Sequence, residues 1–256
     1  MLTVISPAKK LHDAPKGRAE SAPAFADDTA ELLDAMGALG VQDLMTLMSI
    51  SEKLARLNHD RFRDWDAAPE TAAIHTFAGD TYTGLDAATL DADAIRQGQD
   101  RLRILSGLYG LLRPLDAMRP YRLEMGSKLK TARGDDLYDF WDRKLADALN
   151  AAAEAAGAAY LLNCASREYF SAVDPVALEL PVITPTFLED KPGGPKQVSF
   201  FAKQARGAMA RWVIENRIEE PEDLRGFDTG GYEWQREMSA AENPVFLRAD
   251  TAQKAA

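Results

Sequence analysis

Apolar residues run unbroken through Leu2–Ile5 and stop at a serine and a proline, so LTVISP predicts a short buried strand. AYLLNCAS (159–166) repeats the pattern, an apolar run closing on polar residues. Between them the spacing turns helical. Leu32, Leu33, Met36 and Leu39 share one face of a helix over 27–39, after a Pro/Ala/Gly-rich loop over 12–26. Residues 42–64 read as two short helices meeting at SIS, with Ser49 and Glu52 at capping-box spacing. TFAGDTYTGL (76–85) reads as strand-like. Residues 136–157 read as one helix with Leu137, Phe140, Trp141, Leu145 and Leu149 inward and Gly157 as its cap.

Toward the end of the chain, PVITPTFLED and KQVSFFA flank the turn KPGGPK and predict a hairpin; the spacing of a phosphate-binding loop is absent there. A helix over 199–218 places Lys203, Arg206 and Arg217 on one side, with Phe201, Ala205, Met209 and Trp212 opposite. GFDTGGYEW and NPVFLRA predict a closing hairpin, and the tail over 250–256 is expected to fray. This order of elements predicts an α+β (mixed α/β) fold: one compact domain over 1–256, its β core enclosed by helices.

Composition changes the picture in two places. The 256 residues carry a net charge of −10, which argues against a surface built to grip phosphates, yet residues 96–133 hold nine basic and three acidic side chains. That segment is therefore +6 and the rest of the chain −16. The single cysteine, Cys164, forms no internal disulfide. With no signal-peptide layout and no long apolar run, a cytoplasmic protein with no membrane partner is expected.

The candidate chemistry gathers where strands give way to loops: Ser6 and Lys9 after the first strand, Asp80, Tyr82 and Thr83 in GDTYTG, and Asn163, Ser166, Glu168 and Tyr169 after LLNCAS. Neighbouring strands would aim these groups into one crevice. Lys9 suits a phosphate ligand, or a base or nucleophile if desolvated. Arg113, Arg119, Arg122 and Tyr121 suit phosphate pairing and base stacking, or structural ion pairs with Asp116 and Glu124. Glu124 is either such a partner or an acid–base group. His12, His59 and His75 are scattered along the sequence, so no metal site is expected, and no cofactor.

ISPAK, GDTYTGL, LSGLYGLLRPLDAMRPYRLEMG, LYDFW, NCASREYF and FFAKQARGAMARWVIENRI, in that order, resemble the YaaA family of peroxide-stress proteins over nearly the whole chain. The resemblance implies helices around a β core, a helix-hairpin-helix element, a positive cleft, binding to duplex or damaged and branched DNA, and a role in limiting iron-driven oxidative damage. The helix pair at 42–64 is the local candidate for that element, although SIS lacks the usual hairpin glycines; a plain αα-hairpin is the alternative. Ala78 stands where the family pattern has a lysine, and Cys164 where an apolar residue is typical.

Two functions follow as expectations. In the first, a monomeric stress protein binds DNA with Lys9, Arg113, Arg119, Arg122, Lys203 and Arg206. In the second, an enzyme acts on a small phosphorylated or nucleotide-like substrate with Lys9, Glu124, Glu168 and Tyr169. A continuous positive cleft holding Lys9, Arg113 and Lys203 would favour the first, and a pocket joining Lys9 to Glu168 the second.

Overall fold

The first apolar run forms a strand, β1 (Leu2–Ile5), and all four of its residues are buried, so both faces of the sheet around it are covered. The computed structural model describes residues 1–15 and 17–249; the expected frayed tail over 250–256 lies outside them. After β1 come helices α1 (Ala26–Gly37), α2 (Val41–Met48), α3 (Glu52–Arg63), α4 (Asp80–Leu85) and α5 (Ala92–Arg101). Strands β2 (Leu102–Ser106) and β3 (Gly110–Leu112), helices α6 (Leu137–Trp141) and α7 (Lys144–Ala156), strand β4 (Leu161–Cys164) and helix α8 (Arg167–Phe170) follow. The chain then forms β5 (Val182–Ile183), β6 (Thr186–Glu189), α9 (Ser199–Asn216), β7 (Tyr232–Trp234) and β8 (Val245–Arg248).

The main sheet has the order β3-β2-β1-β4-β5, so the fold is mixed α/β. Central β1 lies parallel to β2, with Ile5 opposite Ile104, and parallel to β4, with Ile5 opposite Cys164. The chain leaves β1 for a neighbour on one side and later lays β4 on the other. Their connections diverge, which opens a crevice at the carboxyl ends of the strands. Helices α7 and α9 both pack against β1. A second sheet, β6-β8-β7, encloses a buried ion pair in which Arg248 Nε donates to Glu189 Oε2 over 2.9 Å.

The approach of α4 to α9 fixes the cleft. A Cβ on Gly84 would overlap the Gln204 carbonyl, and one on Gly207 would overlap the Thr81 carbonyl, so the two helices touch backbone to backbone. Only residues without side chains permit that contact.

Four local expectations need correction. GDTYTGL is helical, not extended: Thr81, Tyr82 and Leu85 are its buried residues, a helical spacing, and only Phe77–Ala78 is strand, paired with Lys10–Leu11. The helix expected over 136–157 breaks at Asp142 (φ 42°, ψ −131°). The break lets both Phe140 and Trp141 be fully buried, and Trp141 Nε1 donates to Gly107 O over 3.1 Å. KQVSFFA contributes a single bridge, Lys196 to Glu189, before α9 begins at Ser199, so the strand pair expected about KPGGPK reduces to that contact. Finally, Ser51 rather than Ser49 caps α3, accepting from Leu54 N, while Ser49 ends α2 in the left-handed region. The hairpin of β7 and β8 stands as expected. Among the described residues, no helix is long and apolar enough to cross a membrane.

Candidate functional site

Ser6 follows directly on the end of β1 and Ser166 stands two residues beyond the end of β4, and parallel pairing brings them together. Ser166 N donates to Ser6 Oγ over 2.8 Å, and Ser6 Oγ donates to Ser166 Oγ over 3.3 Å. From α4, Tyr82 OH donates to Ser6 O over 3.2 Å. On β4, Asn163 Oδ1 accepts from Ala165 N over 3.0 Å, which shapes the turn leading to Ser166. Polar groups from three elements therefore meet at the carboxyl edge of the sheet.

They border a cleft of about 510 Å³. Lys9 and Lys10 form one wall, Asp80 another, Ser166, Glu168 and Tyr169 a third, and Lys203 and Arg206 of α9 the fourth. Glu168 Oε1 accepts from Gly126 N over 3.1 Å. Lys9 is ion-paired to Glu124. The other oxygen of Glu124 accepts from Arg122 Nε at 3.1 Å and Nη2 at 2.8 Å. Glu124 is thus neutralised by two cations beside the cleft.

Arg206 differs from these paired groups. It is half-buried, and burial lowers its pKa while nearby Cys164 opposes that shift. Among the described residues, neither Arg206 nor the exposed Lys203 has an ion pair. The Cys164 thiol is buried and pushed up to about 12 by that burial, against the pull of Arg206. It stays a neutral thiol at the cleft floor and makes a poor nucleophile. Burial also raises Tyr82, Tyr121 and Tyr169 above the ordinary phenol value, so all three remain protonated hydrogen-bonding groups. Tyr121 shares a 2.6 Å hydrogen bond with Ser106 at the end of β2.

The structure brings together Ser6, Lys9, Asp80, Ser166, Glu168, Tyr169, Lys203 and Arg206, with Tyr82 and Asn163 behind them and Arg122 and Glu124 at the rim. It does not bring Arg113 or Arg119 into the cleft. Arg113 holds Asp116, its backbone N–H at 2.8 Å and its Nε at 3.1 Å, and borders a separate hollow beside Arg101 and Arg103. Arg119 pairs with Glu70 at 3.2 Å and donates from Nε to Ala68 O at 3.1 Å. Arg96 pairs with Asp93, Arg101 with Glu219, and Arg133 with Asp28 and Glu31. Most of these carboxylates lie outside residues 96–133, so much of the +6 of that segment is offset in space by partners from other parts of the fold. Thr83 and Arg217 also fall outside the cleft: Thr83 lines a neighbouring cavity, and Arg217 pairs with Asp93.

Sequence reasoning overlooked Thr81 in the cleft wall, and the glycines that set its width. Gly207 stands inside the run over 199–218 that reads as helical, where glycine costs about 1 kcal/mol relative to alanine, and that cost was the available signal of a close approach; Gly84 carried no such signal because its segment reads as extended.

Fold and site together define a mixed α/β protein with a partly cationic cleft at the carboxyl edge of a largely parallel sheet. A family model described as peroxide stress protein YaaA matches residues 1–238, and the chain belongs to that family. It is similar over 258 residues to a UPF0246 protein of Jannaschia sp. (strain CCS1), at 58% identity and 100% of both chains. A UPF0246 protein of Ruegeria pomeroyi is 55% identical across 97% of this chain and 98% of its own length, and one of Roseobacter denitrificans is 56% identical across 97% and 98%.

Proposed function

We propose that this member of the peroxide-stress family acts in the cytoplasm by holding a phosphate-bearing ligand of nucleotide size in the cleft. Lys9, Lys203 and Arg206 supply the charge, and Ser6 and Ser166 supply polar contacts at the floor. The observation that carries this reading is Arg206, a half-buried guanidinium without a carboxylate partner among the described residues, facing the same space as the unpaired Lys203. A cation withdrawn from water is costly until an anion meets it, and a guanidinium matches phosphate in geometry as well as charge. The volume of the cleft suits a small ligand. Calorimetric titration with inorganic pyrophosphate tests the reading: binding is expected, and Arg206→Gln should weaken it roughly tenfold or more. Pyrophosphate that does not bind, or that binds the variant equally well, contradicts it.

A second reading, DNA, is favoured by the helix pair. Helices α2 and α3 pack together across the short turn Ser49–Ser51, with Ser49 left-handed at φ 51°, an arrangement that suits a helix-hairpin-helix element. In that reading the protein covers duplex, damaged or branched DNA and limits iron-driven damage to it. Gel-shift titration decides it: about four neutralised phosphates would cost on the order of 10² in affinity between 50 and 200 mM salt. Absence of binding at low salt contradicts it.

A further inference from the structure

Beside the cleft lies a second cavity, of about 420 Å³, and it gathers two of the three histidines of the chain, His12 and His75. The two spaces share Ala78 and Gly79 as lining residues. Strand pairing shows how they connect. Lys10 is opposite Ala78, and His12 N donates to Thr76 O over 2.9 Å, continuing the ladder. Residues directly opposite share a face, as do residues two apart, so Lys10, Ala78 and His12 lie on one side of this ribbon. Lys10 faces the phosphate cleft and His12 the second cavity, at a spacing of roughly 7 Å. Ala78, directly opposite Lys10, lines both spaces.

The second cavity has a different chemistry. Ile74, Phe77 and Ala87 give it apolar surface, and the histidines give it flat polar rings. The His75 ring is fixed from behind, since a Cβ on Gly17 would overlap it. Burial, with the nearby His12, holds the His75 pKa below its ordinary value, so near neutral pH the imidazole offers one donor and one acceptor rather than a charge. Such a ring complements the edge of a heterocycle, not a phosphate.

We infer that this cavity is the base-binding half of the ligand site, so that the ligand is a nucleoside phosphate with its phosphate on Lys9, Lys203 and Arg206 and its base between His12 and His75. The inference rests on the phosphate reading of the cleft. It is tested on the full chain by calorimetry with ribose 5-phosphate, AMP and UMP. At least one nucleotide should bind about tenfold tighter than ribose 5-phosphate, the gain that stacking one base provides. His12→Ala and Ala88→Trp change exposed positions lining the cavity, and should remove that gain while leaving ribose 5-phosphate affinity unchanged. Ribose 5-phosphate binding with no gain for either nucleotide overturns the inference alone, as does a gain that survives both substitutions. Failure of ribose 5-phosphate and pyrophosphate alike overturns the phosphate reading and this inference with it.

Discussion

Ser6 Oγ accepts the Ser166 backbone N–H at 2.8 Å across 160 positions of sequence, joining the ends of the two strands that flank the cleft. The hydroxyl satisfies an amide that no helix or strand partner reaches. Ser6→Ala should therefore cost about 1–3 kcal/mol, the penalty for stranding a partly buried donor, and urea unfolding measures it. An unchanged midpoint would mean that water replaces the hydroxyl without loss.

The contact of α4 with α9 predicts a larger effect from a smaller change. Gly207→Ala places a methyl against the Thr81 carbonyl, and backbone at such a crossing has little room to yield. Destabilisation of about 1–3 kcal/mol or more is expected by thermal denaturation, together with weaker pyrophosphate binding as Lys203 and Arg206 move away from Ser6. A fully stable variant with unaltered binding would show that the crossing does not set the cleft.

Glu124 neutralises Lys9 and Arg122 at the rim. Glu124→Gln releases both cations, so affinity for pyrophosphate should rise, by up to about fivefold for a solvent-screened pair. Titration calorimetry measures the change. A fall in affinity would mean that the carboxylate chiefly holds Lys9 in place.

His75 makes stability depend on pH. Its folded pKa is depressed below 6.5 by burial and then by His12, so the unfolded chain takes up the proton first as pH falls. Its contribution is fully present above about 6.5 and is lost as pH falls through that value toward the folded pKa. Urea midpoints should drop across that window, and His75→Gln should flatten this part of the profile. An identical slope in the variant would remove His75 as the cause.

Much of this was legible in the sequence because it is local. The apolar runs ending in ISP and NCAS located β1 and β4, and the polar groups just beyond them do converge. The spacing of 199–218 located α9 and put Lys203 and Arg206 together. What escaped was set by distant partners. The cations of 96–133 look like a positive stripe until Glu70, Glu219, Asp28 and Glu31 arrive from other parts of the fold. The break at Asp142 depends on a pocket that accepts Phe140 and Trp141 at once, and periodicity alone carries a helix through it. His12 and His75 are 63 positions apart in sequence, and the short ribbon that brings them to one cavity has only two residues in each strand.

The central claim is that an oxyanion occupies the space before Arg206 and Lys203. Tungstate, a tetrahedral oxyanion that scatters anomalously, locates such a site directly when diffused into crystals of the protein. The expected result is an anomalous peak within hydrogen-bond reach of Arg206, Lys203 or Lys9 that disappears in Arg206→Gln. Peaks confined to Arg113 or Arg119, with the cleft empty, would contradict it.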